Sequence, residues 1–178
     1  MAAQPTTEQL QRTVRVVCKI IGQIPCFQIY EDYIARRFGT GEAEISLMAM
    51  THNAALDSAL LNLRCFNEFF KPDGRKDDVR VIHFPGLIMQ PFLDPDDEQA
   101  INKHLAHLTL PRADVAAAPW LLDKMALLGL QHGIQFLTFI ESGFPMNSAA
   151  ADAEVSGVRE AASLFLLKIS KSRRSQDG

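Results

Sequence analysis

Apolar residues recur along this chain at alternating steps of three and four, the spacing of one face of an α-helix. From Thr7 to about Ile21 the stripe is Leu10, Val14, Val17 and Ile21, with Thr6 or Thr7 placed as N-cap. Pro25 interrupts it. A shorter segment, 27–38, carries Phe27, Tyr30, Ile34 and Phe38 and ends at Gly39 and Gly41. The longest stripe runs from Glu42 to Phe70 through Ile45, Ala49, His52, Leu56, Ala59, Leu63, Phe66 and Phe70. No glycine or proline breaks it, so it predicts a long helix facing several neighbours. Pro72 and Gly74 stop it.

Residues 72–94 carry no helical period. Val79, Val81 and Ile82 suggest one extended stretch, but a lone strand has no partner. A connection of this length inside one domain is expected to be functional or mobile. Asp94 and Pro95 then form a helix start, with an N-cap carboxylate, proline at the first helical position and acids in the first turn. That helix is expected to reach Leu110 and stop at Pro111. Another spans Trp120 to Ser142, anchored by Trp120 and closed by Gly143 and Pro145. A last one, 149–170, carries Val155, Val158, Ala162, Phe165 and Ile169, ahead of a polar tail, 171–178, expected to be disordered. Five or six helices without a convincing strand predict an all-α helical bundle. It is a single domain, 1–170, with N-terminal helices in 7–38, a core in 42–142 and a C-terminal helix in 149–170.

Composition narrows the class. Apolar residues make up 47% of the 178 and charged residues 22%, too apolar for disorder and enough for a sizeable core. A formal charge of -3 argues against a protein that coats nucleic acid non-specifically, while leaving room for a local basic patch. Cys18, Cys26 and Cys65 are an odd set with no CxxC pair, and two lie inside helical patterns. They are expected to be reduced, buried thiols of a cytoplasmic protein. The first residues lack the basic-then-apolar order of a signal peptide, and no apolar run reaches the length of a membrane span, so neither secretion nor a membrane is expected.

The densest chemistry lies between Asn102 and Thr109. On a helix, Ile101, Leu105 and Leu108 share the face to be buried, while Asp96, Ala100, Lys103 and His107 share another. A histidine carries protons near neutral pH, and a cation one turn away favours its neutral, basic form. Lys103 and His107 could therefore supply general acid–base work beside a phosphate, although a single His–Lys pair more often marks a solvated helix face. His52, on an apolar stripe, is expected to be a hydrogen-bonded core histidine. His104 and His107 with His52 or His132 would begin a metal site, but no ligand cluster accompanies them, so no metal or cofactor is expected. Arg75, Lys76 and Arg80 make the connection basic on one side and, with Arg112, are the candidate nucleic-acid contacts. Asp77 and Asp78 between them also fit a solvated loop. Glycine-rich phosphate loops and nucleophile elbows are absent.

The order ALDSALLNLRCFNEFF, then GRKDDV, then INKHLAHLTLPR, within roughly residues 45–125, resembles a group of bacterial helical proteins. These are similar to the abortive-infection branch of the HEPN superfamily (higher eukaryotes and prokaryotes nucleotide-binding domains). The resemblance implies a helical bundle that often dimerises. Many members are metal-independent ribonucleases with a motif arginine shortly before a histidine. Carried over, His107 would be the motif histidine, with Asn102 and Lys103 the polar residues around it. The arginine is missing: the upstream position that shares the face of His107 is Ala100, and Lys103 is a point charge rather than a bidentate fork. Arg64, on the long helix, is the candidate to replace it, or else to pair with Glu68 one turn on. The resemblance thus implies an RNA- or nucleotide-binding protein, as a homodimer, with ribonuclease activity in bacterial defence. Its competitor is a non-catalytic dimerising or interaction module.

Overall fold

A computed structural model describes residues 4–25, 42–73, 78–106 and 122–174. Five α-helices appear there: α1 (Thr7–Gln23), α2 (Glu42–Phe69), α3 (Pro95–Ala106), α4 (Leu122–Glu141) and α5 (Ala149–Arg174). A single 3-10 turn, Val81–His83, lies between α2 and α3. Among the described residues there is no strand, and the chain is an all-α bundle. No helix there is long and apolar enough to cross a membrane. The segment expected at 27–38 lies outside the described residues, as do 107–121.

Helix α1 begins at a capping box. Thr6 Oγ1 accepts from the Gln9 N–H at 3.3 Å, and Gln9 Oε1 accepts from the Thr6 N–H at 2.7 Å, so two of the helix's open donors are filled. Its expected stripe is buried, joined by Cys18. Burying each such aliphatic side chain contributes about 1.5–3 kcal/mol. Gln11 donates to the Pro145 carbonyl at 2.7 Å and Arg15 to Asn147 Oδ1 at 2.9 Å, tying α1 to the turn between α4 and α5. Helices α4 and α5 pack along each other, α1 lies against α2 and α5, and α2 reaches α3 and α4. Two glycines of α4 make the centre close. A Cβ on Gly133 would stand 3.0 Å from Ile21 of α1, and one on Gly129 would stand 2.7 Å from Leu63 of α2. Any side chain at either crossing would have to displace these buried aliphatic groups.

The connection after α2, expected to be functional or mobile, is packed into the bundle over its described residues. Val81, Phe84, Met89, Phe92 and Leu93 are all buried in the common core. Rings from α2 (Phe66, Phe69, Phe70), the connection (Phe84, Phe92) and α4 (Phe136) meet at centroid separations of 4.8–6.4 Å, largely edge to face. Two polar side chains hold this stretch. Asn67, 1% exposed, accepts at Oδ1 from the backbone N–H groups of Phe92 (2.8 Å) and Leu93 (2.9 Å). Arg80, 7% exposed, donates to the carbonyls of Glu68, Lys71 and Asp73 and to Asp78. Those carbonyls are the open acceptors at the end of α2 and just beyond, so Arg80 acts as its C-cap. A lack of periodicity here marks an irregular packed layer.

Helix α3 starts as expected, with Asp94 Oδ1 accepting from the Asp97 N–H at 2.8 Å. Lys124 of α4 reaches Asp94 (3.3 Å) and Asp97 (3.2 Å), and these carboxylates raise its pKa above the usual lysine value. Helix α5 continues to Arg174, past the expected end at 170.

Candidate functional site

An open groove of about 360 Å³ runs along the α1–α2 seam. Thr13, Val16, Val17 and Ile20 form its α1 wall, Leu61, Arg64, Cys65, Glu68 and Phe69 its α2 wall, and Asp78, Val79 and Arg80 close one end. It follows from the two helical patterns. Val17 and Leu63 point inward on their stripes, so Val16 and Leu61, a step or two away in register, stand at the rim, 54% and 49% exposed. The floor is apolar, and the rim joins these two apolar residues to the charged Arg64, Glu68 and Asp78.

The charges are mostly paired. Glu68 binds Lys71 at 2.8 Å rather than Arg64, and Lys71 also holds Glu98 of α3. Burial raises the Glu68 carboxyl, but the bond and charge of Lys71 outweigh it, and its pKa lies below the usual glutamate value. Burial opposes the Lys71 charge too, and its two carboxylate partners still lift its pKa. Asp78 is bound by Arg80 at 3.0 Å. Arg64 has no hydrogen bond or ion pair to another described residue, which makes it the available charge of the groove.

The residues expected to form a catalytic set are not gathered here. Asn102 and Lys103 lie on α3 and do not line this groove. Lys103 is exposed, and Asn102 is half-buried with its Oδ1 covered and without a hydrogen-bond partner among the described residues. His107, Arg75, Lys76 and Arg112 lie outside the described residues, as do the side chains of His52 and His104. Arg80, expected as a nucleic-acid contact, has its guanidinium occupied by three backbone carbonyls and a carboxylate, because the end of α2 is buried and needs donors. His132 stacks among Phe70 and Phe92 and bonds the Leu128 carbonyl through Nδ1 at 3.0 Å. Among the described residues no three His, Cys, Asp or Glu side chains converge as metal ligands.

The thiols divide. Cys18 is buried as expected, and burial, with Glu154 nearby, pushes its pKa up to about 12. Cys65 is instead exposed at the groove, because position 65 falls off the α2 stripe. Val16 and Leu61 fall outside the helical stripes that the sequence displays. The signal was there: both are large apolar residues in surplus to the stripe of their helix, and surplus apolar positions collect where a helix has an open flank. No protein-family model, no curated protein and no solved structure matches this chain.

Proposed function

We propose that this protein is a non-catalytic helical interaction module whose α1–α2 groove receives a short amphipathic segment of another protein. The observation that carries this is the groove itself. Exposed Val16 and Leu61 flank an apolar floor, and Arg64 stands beside it while the neighbouring acids are already paired. Apolar side chains of the segment would cover Val16, Ile20 and Leu61, and a carboxylate would meet Arg64, whose planar fork suits bidentate pairing. The test is selection from a random peptide display library on the wild-type protein, with Arg64→Glu and Leu61→Arg as counter-screens. Enriched peptides should carry an acidic residue within a turn of two branched apolar residues and should lose binding to both variants. No enrichment, or enrichment indifferent to both variants, overturns the proposal.

A second reading keeps the HEPN-like resemblance: a cytoplasmic RNA- or nucleotide-binding homodimer with metal-independent ribonuclease activity. What favours it is the adjacency on α3 of exposed Lys103, a cation, and half-buried Asn102, whose amide can donate. In this reading His107 moves the proton of a ribose hydroxyl, and Lys103 and Asn102 hold the phosphate. RNA cleavage in chelator, lost in His107→Ala with helicity retained, would establish it. Absence of both cleavage and nucleotide binding would remove it.

A further inference from the structure

The walls of the α1–α2 groove constrain what can lie between them. On α1 the wall is Thr13, Val16 and Ile20, and on α2 it is Leu61, Cys65 and Glu68. Each wall advances by steps of three and four residues, so each is one helix face about 10 Å long. Asn62 donates to Gln23 at 2.9 Å, one turn of α1 beyond Ile20, and residues 78–80 close the other end. About two turns of open seam lie between these stops.

Backbone chemistry then selects the occupant. Every one of these wall residues lies within a helix, where N–H and C=O groups are spent on intrahelical bonds. At the closed end the Arg80 N–H is taken by His83 Nδ1 at 2.9 Å. The Thr13 hydroxyl is turned to the Gln9 carbonyl, also at 2.9 Å. A strand laid here would find no ladder to join, and its backbone groups would be left unpaired over an apolar floor. A helix satisfies those groups within itself. Its side chains at i, i+3 or i+4, and i+7 match the two turns of the walls, as a third helix packs into the seam of a pair. Arg64, on the α2 side and without a partner among the described residues, calls for an acid on the flank of that helix.

We propose that the occupant of the groove is an amphipathic α-helix of another protein, seating apolar residues at i, i+3 or i+4, and i+7 between Val16 and Leu61, with a carboxylate beside Arg64. This rests on the reading of the groove as a docking site and adds that its occupant binds folded. A segment of two or three turns is marginal as a free helix, so it orders as it binds.

The test is selection of two peptide libraries, each about 14 residues long, on the full chain. One carries randomised apolar residues at i, i+3, i+4 and i+7 of an alanine–glutamine scaffold, with an acid on one flank. The other alternates the same residues with threonine, a strand pattern. The helical library alone should be enriched. Val16→Arg and Leu61→Arg, one on each wall, should each abolish capture with the circular dichroism of the protein unchanged. The captured peptide should gain helical circular dichroism on binding, and proline at its centre should weaken it at least about tenfold. Enrichment of the strand library, or tolerance of the proline, overturns the helix and leaves the docking site. No enrichment, or enrichment indifferent to both variants, overturns the docking site as well. A dimer of the free chain in sedimentation velocity, lost in Leu61→Arg, would make the occupant a second copy and overturn the proposal.

Discussion

Asn67 is where the interior is most exposed to a single change. Its Oδ1 is the acceptor for two buried backbone donors, Phe92 and Leu93, at 2.8 and 2.9 Å. Asn67→Ala removes that acceptor without offering water, and each buried donor left unpaired costs about 1–3 kcal/mol. One gain offsets this in part. The Asn67 Nδ2 is itself buried without a partner among the described residues, so its removal returns about 1–2 kcal/mol. The net loss should be about 2–4 kcal/mol, which for a chain of this size lowers Tm by roughly 5–15 °C. Urea unfolding should show a lower midpoint with an unchanged slope. Native-state hydrogen exchange should show the Phe92 and Leu93 amides losing protection before the helices do. Asn62→Ala is the matched control: its amide bonds Gln23 and Ser58 near the surface, and its loss should cost under about 0.5 kcal/mol. If Asn67→Ala falls below about 1 kcal/mol, or leaves both amides protected, the clamp does not hold the connection.

Arg80→Lys keeps the charge but loses the fork that spans three carbonyls, and should destabilise by about 2–4 kcal/mol in urea. Gly133→Ala gains up to about 1 kcal/mol of helix propensity, but its methyl meets three atoms of fully buried Ile21 at 3.0–3.2 Å; a net loss of about 1–2 kcal/mol is expected, read from the urea midpoint. The Cys18 thiol should give a slope in alkali. Below its ordinary pKa of 9.0 both states hold the proton and pH has no effect; above it the unfolded chain ionises while the folded thiol stays neutral to about 12, so stability is lost as pH rises through that window. Relative to Cys18→Ala, the wild type should lose about 1.4 kcal/mol between pH 8 and pH 10.

Much of the fold was legible because helical burial writes itself at fixed spacing. The Leu10–Ile21 stripe, the Asp94 cap and the α2 stripe from Ala59 to Phe70 all fall where periodicity put them. The connection was not legible, since irregular backbone is held by single polar side chains whose partners are remote in sequence. Nothing local marks Asn67 as a clamp for Phe92 or Arg80 as a cap for α2. Arg80 illustrates the difficulty. Beside Arg75, Lys76 and Asp77 it looks like part of a solvated basic loop, and only the buried end of α2 explains why its donors turn inward. The groove escaped for a related reason: it arises between two helices, and each sequence stripe describes only the face that a helix buries. Arg64 was singled out for its charge alone, and the structure adds its apolar surroundings.

The phenylalanine cluster has a consequence for biogenesis. Phe66, Phe69 and Phe70 leave the ribosome early, but the rings that cover them come from Phe84 and Phe92, then Phe136, with Phe144 closing over Phe84. At about 5–20 residues per second, a nascent chain shows bare aromatic surface for several seconds before α4 arrives. Holdase chaperones should therefore engage ribosome-bound chains truncated before α4 and release those that extend past it.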